Sequence, residues 1–365
     1  MPTPTLPIVK VHMPPADRLM PMLEQVLYGG MLAEGEYVYE FERRFAAHFD
    51  LPGALAFSSG TGALHVALLS CGVEAGDEVI TTSMTAEPTN TTILQIGAVP
   101  VFADVDPHTG NLDPGAVEAC ITARTKAILV VHYAGYPAKL AALREIADRH
   151  DVALVEDCAH ALGARSGGAA IGTIGDAAIF SFQAIKHMTT VDGGALVLRN
   201  RQAVRDARKL RWFGMEKGVP RTEVDIARAG YKYNMGNVTG AIGLQQLDVI
   251  DDVIARHKAN GCFFDAELAQ VLGLSPAAVE HGAEPSYWIY TLLADDSEAV
   301  ERCLADIGVM ASKLHRPNHL HSVFAPYRRA MPGLDEFYRR LVHIPCGWWV
   351  TDDDRARIVD ALRKG

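Results

Sequence analysis

Residues 175–199 read GDAAIFSFQAIKHMTTVDGGALVLR and predict two short apolar strands, 177–182 and 194–198, on either side of a polar loop. The loop holds one lysine, Lys186, among small and hydroxyl-bearing residues. Burial against backbone disfavours the charged amine and lowers its pKa, and small neighbours leave room for a flat ligand. A lysine in this setting can form a Schiff base with an aldehyde cofactor. The alternative interpretation is a solvated loop lysine.

The composition favours a globular protein with a sizeable core, arranged as a large domain and a smaller one. The 365 residues are 49% hydrophobic and 21% charged, and the formal net charge of −10 disfavours nucleic acid or an anionic membrane as the main partner. The six cysteines are scattered without a CxxC pair, which is typical of reduced thiols in a cytoplasm. No apolar run reaches membrane-spanning length, and residues 1–18 lack the apolar core of a signal peptide. We therefore expect a cytoplasmic protein.

A glycine-rich turn lies between a predicted strand and a predicted helix. Residues 58–72 read SSGTGALHVALLSCG and follow the apolar run 54–57. Backbone amides at such a turn point outward with the helix dipole, so Gly60, Thr61 and Gly62 form a candidate anion cradle. The alternative is ordinary helix capping.

Further apolar runs alternate with helical patterns such as residues 140–150. The runs lie at 78–82, 99–103, 127–131 and 154–156. This alternation predicts an α/β domain with a mainly parallel sheet, in which ligands gather at the carboxyl ends of the strands.

One such strand end carries Asp157, with His160 about one turn further on. An aspartate after a strand commonly caps a helix or lies in a solvated turn. The functional interpretation is a carboxylate that keeps a ring nitrogen protonated, as a pyridinium electron sink requires. His160 would then stack near that ring or bond to it, or be a capped surface residue.

The second half of the chain predicts a linker helix and a smaller domain. A charged helix is expected at 201–213, and a polar aromatic turn leads into a long helix within 230–250. We divide the chain into a large domain, 1–249, and a smaller α+β domain, 250–365, with a strand at 288–293 and a helix at 297–307. His315, His319 and His321 have a spacing seen in metal sites, but no Cys, Asp or Glu nearby in the sequence completes a ligand set, so we predict no metal.

Together these motifs closely resemble the DegT/DnrJ/EryC1/StrS sugar aminotransferases, pyridoxal-phosphate enzymes of fold type I. The resemblance covers essentially the whole chain through SSGTGALH, VFADVDPHTGNLDP, VEDCAHALGA, FSFQAIKHMTTVDGG, GYKYNMGNVTGAIGLQQL and IPCGWWVTDDDRARIVDAL. It implies a large α/β domain with a mostly parallel seven-stranded sheet and a smaller α+β C-terminal domain. The cofactor it implies is pyridoxal 5′-phosphate.

The resemblance also implies roles for individual residues. Lys186 would form the Schiff base, and Asp157 would pair with the pyridine nitrogen. The other cofactor contacts are assigned to His160 near the phenolic oxygen, to Gly60, Thr61 and Ser181 at the phosphate, and to Asn234 from a partner subunit. The last contact implies a homodimer with a shared active site.

The implied reaction moves an amino group from L-glutamate to a keto sugar. The motifs are similar to a branch that acts on nucleotide-linked keto-deoxysugars and on a keto-octulosonate. The residues expected to contact the substrate are Trp212, Arg221, Tyr231, His315 and His321, although solvated loops are the alternative for these positions.

The sequence departs from the family pattern in two places. The region expected to supply an aromatic residue stacked on the pyridine ring has Thr85, Ala86 and Glu87 instead, and Gly236 replaces a residue that is often polar.

A pyridoxal-phosphate sugar dehydratase of this shape carries histidine in place of the lysine, so Lys186 favours transamination. A catalytically silent regulatory subunit would have lost Lys186 or Asp157, and both are present.

Overall fold

The computed structural model describes residues 6–364, and its strands and helices alternate along the first 200 residues as expected. The strands are β1 (Leu55–Phe57), β2 (Glu78–Thr82), β3 (Val99–Ala103), β4 (Thr125–Val131), β5 (Ala153–Asp157), β6 (Arg165–Ser166), β7 (Ala169–Ala170), β8 (Ala177–Ser181), β9 (Gly194–Leu198), β10 (Leu274–Pro276), β11 (Ala283–Glu284), β12 (Tyr290–Ala294) and β13 (Leu341–Ile344). The α-helices are α1 (Ala16–Tyr28), α2 (Glu36–His48), α3 (Gly60–Ser70), α4 (Glu87–Ile96), α5 (Pro114–Glu118), α6 (Leu140–His150), α7 (Arg201–Leu210), α8 (Asn237–Leu247), α9 (Ile250–Leu268), α10 (Ser297–Asp306), α11 (Pro332–Arg340) and α12 (Asp352–Lys364).

Seven strands form one sheet in the order β1-β9-β8-β5-β4-β2-β3. Only β9 runs against the others, because it pairs antiparallel with both β8 and β1, while the remaining neighbours are parallel. The expected mostly parallel seven-stranded sheet is therefore confirmed. Residues 175–199 form the β8–β9 pair near the middle of this sheet.

Helices cover both faces of the sheet because its strands are apolar on both sides. In β4, Ile128 and Val130 pack into one core while Ala127 and Leu129 pack into another. The α6 residues that face the first core recur at helical spacing, and α3 is apolar almost all round and buries nearly its whole length in the second. Continuous apolar strands are expected when a parallel sheet is covered on both faces.

A third core lies in the C-terminal part of the chain, where β10, β12 and β13 form an antiparallel sheet. It also recruits the N-terminal arm, since the amide of Met310 donates to the carbonyl of Leu6 at 3.0 Å. The indole of Trp349 likewise donates to the carbonyl of Pro7 at 2.9 Å. The division at residues 249 and 250 falls between α8 and α9 and stays a prediction.

Several element bounds differ from those expected. One helix was not predicted from the sequence: residues 16–28 form α1, with Pro21 in its interior. Leu19 and Val26 are buried in this helix, so packing outweighs the hydrogen bond that proline removes. The strand expected at 288–293 is β12, two residues later at its start, and the helix expected at 201–213 ends at Leu210. Among residues 6–364, no helix is both long and apolar enough to cross a membrane.

Candidate active site

A cleft of about 370 Å³ opens at the carboxyl ends of β1, β5 and β8. Seven of the predicted site residues line it, namely Gly60, Thr61, Asp157, His160, Ser181, Lys186 and His315. The start of α4 supplies another wall, from Thr85 to Thr89. The parallel strands thus bring together side chains that are far apart in the sequence.

Lys186 lies in the loop between β8 and β9, and its partly buried side chain lines the cleft. Its Nζ lies 3.9 Å from the centroid of the Trp288 ring. Burial lowers the pKa of this amine from 10.5 to about 7, and the nearby Asp157 opposes the change in part. A substantial fraction of the amine is therefore neutral at pH 7, which is the form that attacks a carbonyl carbon.

Asp157 ends β5 and is 4% exposed. One carboxylate oxygen, Oδ1, accepts from the amide of Ala159 at 3.1 Å, and Oδ2 accepts from the hydroxyl of Thr89 at 2.9 Å. Burial raises the pKa of this carboxyl, while the two hydrogen bonds and the Lys186 amine act in the opposite direction. The acid faces the same cleft as the lysine, so a cation placed there would stabilise its charge.

Two imidazoles and one indole pack face to face beside the lysine. The His160 and Trp288 rings stack with centroids 4.1 Å apart, and His315 lies parallel to His160 at 5.6 Å. Nδ1 of His160 accepts from the amide of Ala134 at 3.3 Å, which places the proton of the neutral ring on Nε2. Burial lowers the pKa of His315 to about 4 and that of His160 well below its usual range. Both rings are neutral at pH 7.

The candidate anion cradle is the first turn of α3. The Ser59 hydroxyl caps the helix by accepting a hydrogen bond from the amide of Gly62 at 3.0 Å, so this amide is not available to an anion. The amides of Gly60 and Thr61 precede the first intrahelical donor and are oriented along the helix axis. A Cβ at position 60 would lie 3.1 Å from Cβ of Ser181, so glycine lets the end of β8 approach this turn. Two amides and a hydroxyl at a helix N-terminus fit a phosphate.

Four predicted site residues, Trp212, Arg221, Tyr231 and Asn234, lie outside this cleft, in and after the loop that follows α7. Asn234 forms a bridge with Phe57, and its Oδ1 accepts from Nζ of Lys232 at 2.6 Å. Lys232 and Lys217 place their ammonium groups 4.2 and 4.7 Å from the Trp212 ring centroid. Tyr231 stacks on Tyr233 with centroids 4.9 Å apart, and Arg221 is exposed.

The histidines of the C-terminal segment do not converge on one point. His319 Nδ1 lies 2.8 Å from the Ser83 hydroxyl, and Nε2 of His321 lies 3.6 Å from Oε1 of Glu87, while His315 stacks in the cleft. A different buried group, His132, Glu156 and Cys158, brings potential metal ligands within 4.8 Å of one another.

Hydrogen bonds already occupy that buried group. Both oxygens of Glu156 accept from main-chain amides, those of Ile174 and Gly175 on one oxygen and that of Gly172 on the other, which also lies 3.2 Å from Nε2 of His132. Nδ1 of His132 accepts from the amide of Ala138 at 3.1 Å. We therefore interpret the group as structural.

Sequence reasoning missed Trp288, Thr89 and Asn318. Trp288 comes from the C-terminal part and donates its indole N–H to the carbonyl of Ile185 at 2.8 Å. No local signal marks it, because its proximity to Lys186 is a long-range contact. The pair Thr85 and Thr89 has helical spacing beside the predicted ring site and could have been noticed. The structure also places the non-aromatic Thr85, Ala86 and Glu87 in the cleft wall.

A flat, phosphorylated aldehyde with a basic ring nitrogen meets each of these features: an amine that is partly neutral, a buried acid and an anion cradle. The class of protein that this fold and cleft define is therefore a pyridoxal-phosphate enzyme of fold type I. Comparison with known proteins narrows the class. A family model of the DegT/DnrJ/EryC1/StrS aminotransferases matches residues 16–363, and the chain belongs to this family, whose members are pyridoxal-phosphate-dependent sugar aminotransferases.

Individual relatives are similar to this protein over nearly the whole chain. The spore coat polysaccharide biosynthesis protein SpsC of Bacillus subtilis (strain 168) is 32% identical over 357 residues, covering 93% of this chain and 92% of SpsC. The crystal structure of the sugar aminotransferase CalS13 from Micromonospora echinospora superposes with a TM-score of 0.95 at 38% identity, covering 99% of this chain and 100% of CalS13. The crystal structure of AtS13 from Actinomadura melliaura superposes with a TM-score of 0.96 at 36% identity, covering 100% of both chains.

Proposed function

We propose that this sugar aminotransferase moves an amino group from L-glutamate to a nucleotide-linked keto-deoxysugar or a keto-octulosonate. The observation that carries the proposal is the buried Lys186 amine, which shares one cleft with the buried acid Asp157 and the α3 cradle. The names of relatives support the sugar as acceptor, because CalS13 is a sugar aminotransferase and SpsC takes part in polysaccharide biosynthesis.

Each residue of the cleft has a proposed task. The cofactor, when bound, supplies a ring that withdraws electrons from the carbon undergoing proton loss. Lys186 would hold the cofactor covalently between turnovers. Its Nζ would move a proton from the donor's α-carbon to the cofactor in the first half of the reaction, and from the cofactor to the acceptor carbon that gains nitrogen in the second. Asp157 stays ionised and accepts a hydrogen bond from the ring N–H.

The remaining contacts hold the cofactor in place. The amides of Gly60 and Thr61 and the hydroxyl of Ser181 bind the phosphate. Nε2–H of His160 donates to the phenolic oxygen, which is consistent with the tautomer that the Ala134 amide selects. Thr85, Ala86 and Glu87 lie where an aromatic ring is common, so this face of the cofactor site is bounded by smaller groups.

A phosphate-bearing acceptor accounts for the charge around Trp212. This chain carries a net charge of −10, yet two lysine ammonium groups converge on one indole, with Arg221 in the same loop. Ammonium and guanidinium groups bind phosphate oxygens, and an indole offers a flat surface for a base or sugar. We assign Trp212, Arg221 and Tyr231 to the acceptor on this basis, and His315 and His321 to the sugar because they lie at or beside the cleft.

A shared active site in a homodimer would bring that loop to the cleft of the other subunit. Val191 is 61% exposed one residue before Asp192, which lines the cleft, so a protein seated on Val191 would reach the site. Tyr28 and Met31 are also exposed, at 86% and 60%, as expected for a surface that a second copy covers. Asn234 would then meet the partner's cofactor phosphate.

Two measurements test the function. Purified enzyme loaded with cofactor should release 2-oxoglutarate from glutamate in an amount equal to its active sites, and Lys186→Ala should release none while Lys126→Ala, which removes an exposed lysine, behaves as wild type. The enzyme is then incubated with keto sugars, with and without a nucleotide, and the masses of the products are measured by mass spectrometry. A product containing nitrogen supports transamination, whereas loss of water without nitrogen gain identifies a dehydratase. A protein that stays colourless with added cofactor would identify a silent subunit.

A further inference from the structure

A chain of hydrogen bonds runs from Asp157 into the wall formed by α4. An ionised carboxylate can only accept, so the Thr89 hydroxyl donates its single proton to Oδ2 of Asp157 at 2.9 Å. The Thr85 hydroxyl lies 3.0 Å from the Thr89 oxygen and must be the donor to it, because the proton of Thr89 is already used. Thr85 and Thr89 are 1% and 3% exposed, so water does not compete for these bonds.

The chain continues into the C-terminal segment through Asn318, which is fully buried. Its Nδ2 donates to the carbonyl of Thr85 at 2.8 Å, and its Oδ1 accepts from Nδ2 of Asn90 at 2.9 Å. Its amide also donates to the carbonyl of Ser83 at 2.8 Å. Donor and acceptor both have partners, so a flipped side-chain amide would oppose two like groups, and the direction of the chain is fixed.

We propose that Thr89 and Asn318 are positioning residues that orient Asp157 toward the ring nitrogen of the cofactor and tie that orientation to the segment carrying His315. The inference rests on the role given to Asp157 in the proposed function. With Ala159 holding Oδ1 and Thr89 holding Oδ2, the carboxylate cannot rotate without breaking a bond. Asn318 lies three residues after His315 and bonds to Ser83 and Thr85, in the loop after β2. Asp157 is linked to the same loop through Thr89 and Thr85. The segment that carries His315 and the carboxylate of Asp157 are therefore held by one loop.

Thr89→Val tests the first link, because it keeps the shape of the side chain and removes the donor. In the holoenzyme we expect pyridoxal phosphate to dissociate about tenfold more readily, the loss of one hydrogen bond to a charged group. The pH at which the visible absorbance of the bound cofactor changes should also move, since the acid facing the ring becomes harder to ionise. Thr89→Ser keeps the hydroxyl and should behave as wild type. Thr91→Val makes the same substitution on the same helix, where the hydroxyl bonds only to the Pro88 carbonyl, and should also be unchanged.

Asn318→Asp tests the second link, because it replaces the donor to the Thr85 carbonyl with an oxygen. We expect a displacement of the absorbance midpoint in the same direction as in Thr89→Val and about threefold weaker cofactor binding, a smaller effect because it acts through two side chains. Thermal unfolding of each variant is recorded, and Thr85→Val, which removes the donor to the Thr89 oxygen, replaces Thr89→Val if that variant does not fold.

Three outcomes would overturn the proposal: an unchanged affinity and midpoint in Thr89→Val, equal changes in Thr89→Val and Thr91→Val, or an Asn318→Asp protein that melts earlier with an unmoved midpoint. Asp157→Asn separates this proposal from the one on which it rests. If Asp157→Asn leaves the affinity and the absorbance as in wild type, the role of Asp157 fails. If it changes both while Thr89→Val changes neither, only the positioning role fails.

Discussion

Replacing Lys186 with methionine in cofactor-free protein should remove a pH dependence of stability that the buried amine creates. The pKa of this lysine falls from 10.5 to about 7 on burial, so the unfolded chain binds the proton more tightly than the folded one. Unfolding between these pH values therefore takes up a proton, and the contribution of Lys186 to stability improves as the pH rises. At pH 7 the penalty is about 4 kcal/mol, and at pH 9 it is about 2 kcal/mol.

Methionine has a similar length and no charge, so the variant escapes this penalty. The free energy of unfolding of Lys186→Met minus that of wild type should fall by about 2 kcal/mol between pH 7 and pH 9. A constant offset from the loss of the amine beside Asp157 does not alter this difference. Urea unfolding at both pH values, at one protein concentration, measures it, and Lys126→Met serves as the exposed control. A difference that stays flat with pH would refute the burial of a partly neutral amine.

Further predictions concern the parts of the fold that hold the cleft. Gly194→Ala would place a Cβ 2.6 Å from the Gly60 nitrogen, so we expect a loss of about 1–3 kcal/mol in urea unfolding and weaker cofactor binding in fluorescence titration. Glu156→Gln turns an amide N–H₂ toward N–H donors and should lower the free energy of unfolding by about 2–4 kcal/mol at pH 7. Burial raises the pKa of wild-type Glu156, but His132 and main-chain amides outweigh burial and hold that pKa below its usual range. The difference between variant and wild type should therefore shrink at acidic pH, where wild-type Glu156 becomes protonated. Phe45→Ala empties a fully buried position among aromatic rings and should cost about 3–5 kcal/mol in the same unfolding assay without moving the absorbance of the cofactor.

Local sequence patterns predicted most of the strands of the large sheet. The runs at 78–82 and 99–103 coincide with β2 and β3, and 194–198 coincides with β9, because buried strands are continuously apolar and bounded by polar turns. Lys186, Asp157 and the Gly60 turn meet at one edge for the same reason, since parallel strands carry their following loops to a common end. α1 was missed because Pro21 signals a break, and only its packing against α8, with Leu19 and Val26 buried, overrides that signal.

The C-terminal wall of the cleft could not be predicted in the same way. Trp288 and Asn318 reach the site through tertiary contacts with segments more than 100 residues earlier, and no periodicity encodes such a contact. His315 was selected for its chemistry, and the structure adds the stacking on His160 that burial requires.

The attachment of the N-terminal arm to the third core has a consequence for synthesis. Leu6 and Pro7 leave the ribosome well before their partners Met310 and Trp349, which are made about 300 residues later. At about 5–20 residues per second, the arm waits roughly 15 to 60 s before its binding groove exists. During that interval the apolar side chains of Leu6 and Ile8, which are buried in the folded protein, have no partner to pack against.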